Sequence, residues 1–328
     1  MNGTFIISLD YELMWGSIFD PPVLEGYRKR VPFVRQHIHF LLDTFVKHGI
    51  HATWAIVGAI GCKDKAEAEQ LAPEDITDPQ TGDSLRDYIR RIDNEGVYFM
   101  PDMVRKIAQT PGQEIGCHTF SHFCVKEHNN AILIFREDLK AAKSVLSRYT
   151  DHLSVIAFPK NQVMGPFCRI SGEEGMDVYR GSALGSQKEL RGRIGKLVNF
   201  IDSYLPILGH HDYRMTDLTD GQLYNVRASR FFRTYERRLA VFEWMKLRRI
   251  LCEMDHAARS GLIYHLWFHP HNLSTNIDRN YQTFGIIVNH FVKLNAQYGF
   301  QSLNISECVG ERIGASRDIG VPLPGARA

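Results

Sequence analysis

The sequence lacks the features that mark several large classes of protein. Its six cysteines include no Cys-x-x-Cys pair, which argues against a disulfide framework or a structural zinc cluster. No apolar run approaches the roughly 20 residues that span a bilayer, and the first residues carry neither a basic segment nor a small-residue cleavage site. We therefore expect a cytoplasmic protein with reduced thiols and no membrane span.

An excess of one charge is also missing. The net charge is only +2 over 328 residues, and lysine and arginine are spread along the chain rather than gathered in a stripe, so no nucleic-acid partner is predicted. Hydrophobic residues make up 44% of the chain and charged residues 23%, which is ordinary for a globular protein with a full core. Nothing in the sequence specifies an oligomeric state.

Apolar runs alternate with amphipathic helical patterns over most of the length. The run Phe5–Leu9 predicts a buried strand, and the pattern from Val31 to Gly49 predicts a helix with a glycine cap. Ile50–Gly58 predicts a second strand. A strand, a helix and a strand at this spacing form the right-handed unit of a parallel sheet, so the sequence predicts an α/β fold.

A single domain is expected over residues 1–312, with two insertions. Residues 62–96 are polar and carry short helices at most, and residues 182–230 are predicted to be loops with some helix. Residues 313–328 are predicted to form a disordered tail.

Polar residues follow the apolar runs at four places. Asp10 and Glu12 end the first run, and alternation along a strand puts them on one face. His118 and His122 follow a later strand, and a helical turn would bring them together because residues four apart share a face. The carboxyl ends of barrel strands meet at one face, so these clusters predict one site. The other two clusters are Pro159–Gln162 and His269–His271.

Three of these stretches resemble the motifs of one family. Ser8-Leu9-Asp10-Tyr11-Glu12, His118-Thr119-Phe120-Ser121-His122 and Leu266-Trp267-Phe268-His269 are similar to the first, second and last motifs of the polysaccharide deacetylases, also called NodB-homology or carbohydrate esterase family four proteins. The resemblance covers roughly residues 4–310 in motif order. It implies a distorted (β/α) barrel of the NodB-homology type, with about seven parallel strands and outer helices.

The resemblance implies a metal-dependent hydrolase that cleaves an amide other than a peptide bond. It would remove an acetyl group from an N-acetylated or O-acetylated sugar in polysaccharide or glycoconjugate biosynthesis. Glu12, His118 and His122 match the ligands of one divalent metal ion, usually zinc. Asp10 matches the general base and His269 the general acid.

Elementary chemistry agrees with these implied roles. Two imidazoles and one carboxylate leave zinc an open position, where the pKa of a bound water falls to about 7. Asp10 shares a strand face with Glu12 and could take that proton. A histidine such as His269, with an unperturbed pKa of about 6.5, suits the protonation of a leaving amine.

The chain departs from the family pattern at two points. Asp10 and Glu12 flank a tyrosine where the commoner pattern has two adjacent aspartates, and the Arg-x-Pro motif is absent because Ala157 stands two residues before Pro159. Lys160 and Arg180 are the candidates to orient Asp10 in its place, and His271 competes with His269 for the acid role. The predicted substrate-binding or supporting residues are Trp15, Lys160, Asn161, Arg180 and His271.

Three functions are therefore weighed. The leading one is deacetylation of an acetylated sugar or sugar conjugate. The second is hydrolysis of another linear amide or a cyclic ureide, for which a closed pocket is expected rather than an open groove. The third is a sugar-binding barrel without turnover, which the missing Arg-x-Pro motif suggests. With no signal segment in the sequence, the expected substrate is a cytoplasmic precursor such as a nucleotide-linked or lipid-linked sugar.

Overall fold

A parallel β-sheet forms the centre of the molecule. The computed structural model describes residues 2–78, 81–127, 130–182, 193–218 and 222–318, and every strand pair of the sheet within them is parallel. The strands are β1 (Thr4–Tyr11), β2 (Ala52–Ile56), β3 (Gln113–Cys117), β4 (Val155–Ala157), β5 (Val178–Gly181), β6 (Tyr224–Arg227), β7 (Arg230–Phe231), β8 (Ile263–Phe268) and β9 (Gln301–Ser302).

Helices connect most successive strands and cover the sheet. The helix before β2 ends at Gly49 and the helix before β8 ends at Gly261, with φ of 61° and 66°. Glycine adopts this left-handed conformation without steric penalty, so each helix stops where its strand begins. Among the described residues, no helix combines the length and the apolar character that crossing a membrane requires. The helices are α1 (Pro21–Arg30), α2 (Val34–His48), α3 (Lys65–Leu71), α4 (Leu85–Arg90), α5 (Pro101–Gln109), α6 (Ala131–Leu146), α7 (Gly165–Glu173), α8 (Arg193–Asp202), α9 (Glu243–Ser260), α10 (Ile277–Tyr298) and α11 (Ile305–Asp318).

The strand order explains how the sheet curls. It runs β6-β5-β4-β3-β2-β1-β8-β7, and β9 pairs with β1. All eight residues of β1 are buried. Residues 224–231 pair first with β5 and then with β8, so one short segment supplies the outermost strand at each edge of the sheet. The result is a distorted barrel, and the predicted (β/α) fold is confirmed.

The number of strands and the end of the chain differ from the prediction. Within the described residues, eight strands lie along the sheet instead of about seven, because β6 and β7 lie in and beside residues 182–230, which were expected to be loops with some helix. The four residues of β6 are polar or only half-buried for the most part, so they carry no run of apolar side chains. The predicted tail begins at residue 313, whereas α11 continues to Asp318; residues 319–328 lie outside the described residues.

A buried ionic cluster fixes β7 against α9. Arg230 donates to both carboxylate oxygens of Glu253, at 2.6 and 2.8 Å, and to Asp202 at 3.1 Å. Arg249 lies 3.1 Å from Glu253. None of these four side chains is more than 7% exposed. Removing one partner would leave a charge in the interior without its counter-charge, which is costly.

We expect Glu253→Gln to lower the free energy of unfolding by about 3–5 kcal/mol, because the guanidinium groups of Arg230 and Arg249 lose their shared carboxylate. Asp255→Asn on the same helix is the control. Its carboxylate pairs with His290 near the surface at 2.9 Å, so the loss should stay below about 1 kcal/mol. Denaturant unfolding at neutral pH measures both variants. Equal small losses would contradict the importance of the cluster.

Candidate metal centre and active site

Glu12 lies among three imidazole rings. Its Oε1 atom is 3.3 Å from Nε2 of His118 and 3.2 Å from Nε2 of His122. Nε2 of His269 is also 3.3 Å from this oxygen. The other carboxylate oxygen accepts a hydrogen bond from the hydroxyl of Tyr27 at 2.8 Å. Three separate parts of the chain thus converge on one buried carboxylate.

Asp10 is held by an arginine from β5. The guanidinium of Arg180 donates to both of its carboxylate oxygens, to Oδ2 at 2.8 Å. Burial works against the ionised form of Asp10, but Arg180 holds the pKa of this carboxyl below its usual value. Arg180 also donates to Oδ1 of Asn161 at 3.3 Å, and its guanidinium lies 4.5 Å from the ring centroid of Trp267.

The place of this arginine in the sheet bears on the missing Arg-x-Pro motif. Ala157 on β4 occupies the position of the motif's arginine, and it pairs in register with Arg180 on β5. Arg180 is therefore the lateral neighbour of the residue that the motif would use. Lys160 does not take this role in the structure, because its ammonium group donates to Glu127 at 2.6 Å.

Ser8 and His265 form a chain of hydrogen bonds that ends on the guanidinium of Arg180. Arg180 donates to Oγ of Ser8 at 3.3 Å, and this Oγ lies 2.7 Å from Nε2 of His265. Nδ1 of His265 lies 3.1 Å from the carbonyl oxygen of Arg227. A proton on Nδ1 leaves Nε2 to accept from the serine hydroxyl, and burial lowers the pKa of His265 to about 3, which favours this neutral form. The guanidinium is thus positioned by a directed chain of hydrogen bonds.

The His118–His122 segment is a loop, which corrects the expected helical turn. Thr119 and His122 both have positive φ, 59° and 61°, so the backbone is not helical. Asp138 on α6 accepts hydrogen bonds from the backbone N–H groups of Phe120 and Ser121, at 2.7 and 3.1 Å. The hydroxyl of Ser121 donates to the same carboxylate at 2.6 Å. These bonds hold the two imidazole rings on one side, 5.1 Å apart.

Burial and charge oppose each other in the ionisation of Glu12 and its neighbours. Burial disfavours the Glu12 carboxylate, but the charges of His269 and His122 hold its pKa well below the usual range. Burial lowers the pKa of the His122 and His269 imidazoles. The Glu12 carboxylate acts in the opposite direction: it raises the pKa of His122 to about 9 and also raises that of His269. The site therefore favours positive charge next to Glu12.

Glu12, His118 and His122 have the donor set of a metal site. One ligand atom of each lies within 4.8 Å of the others, and two imidazole nitrogens with a carboxylate oxygen are usual donors for zinc. Nδ1 of His118 lies 2.7 Å from the carbonyl oxygen of Ala157. This bond assigns the proton to Nδ1 and leaves the Nε2 lone pair on the side of Glu12. These residues fit one divalent cation.

Asp10, Glu12 and His269 meet the same distance limit, but they suit a cation less well. Both oxygens of Asp10 are already bound by Arg180. His269 lies 3.8 Å from Asp10 and 3.3 Å from Glu12, so it borders both carboxylates. His271, the other candidate for the acid role, is buried with its ring 4.4 Å from that of Tyr27. Burial and the charge of His269 hold the pKa of His271 well below its usual value.

A polar cavity of about 200 Å³ opens beside His122. Lys160 and Glu127 line it, together with residues 15–20 and 121–124. Trp15 belongs to the wall of this cavity, but its side chain is fully buried and its Nε1 donates to the carbonyl oxygen of Tyr98 at 2.9 Å. Trp15 therefore supports the wall, and its ring face is not presented to a substrate.

Tyr27, Asp138 and the Ser8–His265 pair were not identified from the sequence. Two of them leave a signal there. Asp138 lies among apolar residues at helical spacing, and His265 interrupts an apolar strand. A charged or polar residue on a buried face requires a partner. Tyr27 leaves no such signal, because a tyrosine on an amphipathic helix is ordinary.

Comparisons with known proteins address the fold. No family model matches the sequence, and no curated protein matches it either. Among solved structures, a Mycobacterium smegmatis protein assigned to the polysaccharide deacetylases aligns with a TM-score of 0.57 and 12% identity, over 100% of this chain and 95% of the other. The chain shares its fold with that protein. The resemblance in the motifs and the likeness in the fold thus agree.

A solved structure of a protein with a different named activity also aligns with this chain. The 4-α-glucanotransferase of Thermococcus litoralis aligns with a TM-score of 0.50 and 9% identity, over 95% of this chain and 41% of that one. The fold alone does not specify an activity, so function has to be argued from the site.

We expect Asp138→Asn to lower the free energy of unfolding by roughly 2–3 kcal/mol, because an amide cannot accept from all three donors that the carboxylate satisfies. Burial raises the pKa of Asp138 to about 6, so unfolding should be measured at pH 7.5, where the carboxyl is ionised. Glu137→Gln removes the same charge one residue away on the exposed face of α6 and should change stability by less than about 0.5 kcal/mol. Equal effects would contradict the role of Asp138.

Proposed function

We propose that the protein is a metal-dependent hydrolase that removes an acetyl group from an N-acetylated or O-acetylated sugar. One observation supports this most: Glu12 meets three imidazole rings directly beside Asp10, whose carboxylate is fixed by Arg180. Such a site combines a cation-binding donor set with a separate, oriented carboxylate.

Glu12, His118 and His122 would hold the cation, which is zinc in our proposal. When bound, such an ion polarises a carbonyl and lowers the pKa of a coordinated water. Asp10 is the general base, because Arg180 keeps its carboxylate ionised and fixed in orientation. His269 is the general acid, since its Nε2 lies 3.8 Å from Asp10 and the two groups border one small volume.

The position of Arg180 supports turnover over sugar binding alone. The reason to consider a barrel without turnover was the missing Arg-x-Pro motif. Arg180 brings a guanidinium to Asp10 from the strand next to that position. The chemical requirement for a fixed, ionised carboxylate is therefore met by another residue.

The cavity beside His122 supports a small substrate group. Its volume of about 200 Å³ is below the range of roughly 300–1,000 Å³ that is usual for drug-sized ligands. Lys160 and Glu127 in its wall pair with each other at 2.6 Å, and the remaining donors of the ammonium group and the second carboxylate oxygen are available to hydroxyl groups. We propose that it receives one acetylated sugar unit, free or within a conjugate. The same dimensions suit a small linear amide, so such amides belong in the assay.

We expect the purified protein to release acetate from N-acetylated or O-acetylated sugars. A chelator should abolish the release and added zinc should restore it, because the donor set of the site suits that ion. Acetate is measured enzymatically, with a non-sugar linear amide and a cyclic ureide as comparison substrates. Release that persists in chelator would contradict the metal, and turnover of only the comparison substrates would contradict the sugar.

Asp10→Asn and Glu12→Gln should separate the base from the ligand. Both remove one buried carboxylate charge at the end of β1. We expect Asp10→Asn to retain the metal and to lose about 10²–10⁴-fold in kcat, the usual contribution of a general base. Glu12→Gln should lose the ion bound at this site, so its metal content should fall by one ion per chain relative to the unmodified protein, as should that of His118→Ala. Elemental analysis of the dialysed proteins measures the metal. Full activity in Asp10→Asn would end this assignment.

Arg180→Lys should lower kcat on the order of 10-fold to 100-fold, because a lysine cannot hold both oxygens of Asp10 in one plane and the base loses its orientation. KM should change little, since Arg180 is buried behind Asp10. Arg169→Lys on the exposed side of α7 is the matched control. Unchanged kcat in Arg180→Lys would show that the arginine does not orient the base.

A further inference from the structure

A second group of potential metal ligands lies outside the candidate active site. His210, Asp212 and His256 each offer one ligand atom, and these atoms lie within 4.8 Å of one another. Nδ1 of His256 is 2.5 Å from Oδ2 of Asp212. The rings of His210 and His256 are nearly parallel, with centroids 4.3 Å apart. We propose that these residues bind a second divalent transition-metal ion of the zinc type, which clips the segment before β6 to α9.

The backbone around residue 212 presents two of the ligands together. The side chains of His210 and Asp212 lie on one side of the chain, since their ligand atoms are within 4.8 Å of each other. His211 points the other way, where its Nδ1 lies 3.0 Å from the carbonyl oxygen of Ser229. The two ligands therefore reach the same point from one short segment.

Both sides of this segment are anchored before any ion binds. Tyr213 and Ile263 exchange two backbone hydrogen bonds, at 3.2 and 2.8 Å. The guanidinium of Arg249 donates to the carbonyl oxygen of Gly209. The positions of His210 and Asp212 are thus fixed in advance, so binding an ion costs little ordering of the chain.

Burial within the group suits a cation site that solvent can reach. The side chain of Asp212 is only 3% exposed, whereas that of His256 is 43% exposed. A buried carboxylate supplies a fixed negative charge, and the accessible imidazoles leave a path for the ion and positions for water. Two nitrogens and one oxygen are donors that zinc, and other late first-row divalent ions, prefer over calcium or magnesium.

Other surface histidine–carboxylate pairs in the described residues lack the third ligand. His290 lies 2.9 Å from Asp255, and His51 lies 2.7 Å from Glu307. Neither pair belongs to a convergent group of three such donors in that part of the chain. These pairs have the same hydrogen-bond chemistry as His256 and Asp212, so they separate an ordinary charged pair from a metal site.

The location argues for a structural role. Ile263 is the first residue of β8, so its partner Tyr213 lies at the amino ends of the strands. Asp10 and His269 lie at the opposite, carboxyl ends. In barrels the amino-terminal face contributes to stability while the carboxyl-terminal face carries the chemistry. The second ion would stabilise the fold and would leave catalysis unchanged.

Metal stoichiometry tests the proposal with zinc as the probe. After dialysis against zinc, elemental analysis and calorimetric titration should find two ions per chain in the unmodified protein and in His290→Ala. His256→Ala and His118→Ala should each retain one ion, at different sites, and the double variant should retain none. Two ions in His256→Ala would overturn the second site. A failure of the candidate active site would look different: one ion in the unmodified protein and none in His256→Ala.

His210→Ala distinguishes the metal site from the hydrogen bond. It leaves the contact between His256 and Asp212 intact, so an ordinary charged pair would not be affected. We expect the affinity of the second site to fall by at least about tenfold, since even residues that only orient a ligand contribute this much. Unchanged affinity would contradict the proposal.

Thermal unfolding in the His118→Ala background gives an independent readout. At 100 times the dissociation constant, zinc should raise the melting temperature on the order of 5 °C. Adding His210→Ala should remove this shift without lowering the melting temperature in the absence of zinc. A zinc-induced shift that persists without His210 would overturn the proposed ligand set.

Discussion

Two carboxylates buried side by side at the end of β1 constrain the rest of the structure. Asp10 and Glu12 are each only 3% exposed, and two such charges are unstable in the interior unless positive charge surrounds them. Arg180 pairs with Asp10, and a set of imidazoles surrounds Glu12. In the strand order β5 is separated from β1 by three strands, so Arg180 reaches Asp10 only because the sheet curls. The ion pair therefore depends on the curl of the sheet.

The same constraint gives the two carboxylates different surroundings. Arg180 occupies both oxygens of Asp10, which leaves this group ionised, oriented and poorly suited to bind a cation. Tyr27 occupies only one oxygen of Glu12, and the other faces the imidazoles. Two residues of nearly identical chemistry, two positions apart, thus acquire different capacities from their neighbours. This difference is the basis of our proposal that Asp10 is the base and Glu12 a metal ligand.

How far the sequence predicted this site depends on the kind of signal each residue leaves. Asp10, His118 and His269 follow apolar runs, and strand ends in a parallel barrel share one face, so their convergence could be expected. The loop conformation of the histidine pair could not, because it depends on Asp138, which binds the loop from a different helix. Strand β6 was missed for a related reason: its place in the sheet is set by pairing with β5 and not by apolar side chains of its own.

The missing Arg-x-Pro motif illustrates why a motif is weaker evidence than a geometry. A motif records where in the sequence a group usually stands, whereas an ionised base needs only a guanidinium at the right point in space. Ala157 and Arg180 are paired neighbours on adjacent strands, and side chains at one level of a curled sheet reach the same interior volume. An arginine on the next strand can therefore hold the Asp10 carboxylate ionised and oriented just as one at position 157 would. For this reason the absence of the motif is poor ground for denying activity, and the support that Asp10 receives from Arg180, Ser8 and His265 carries more weight.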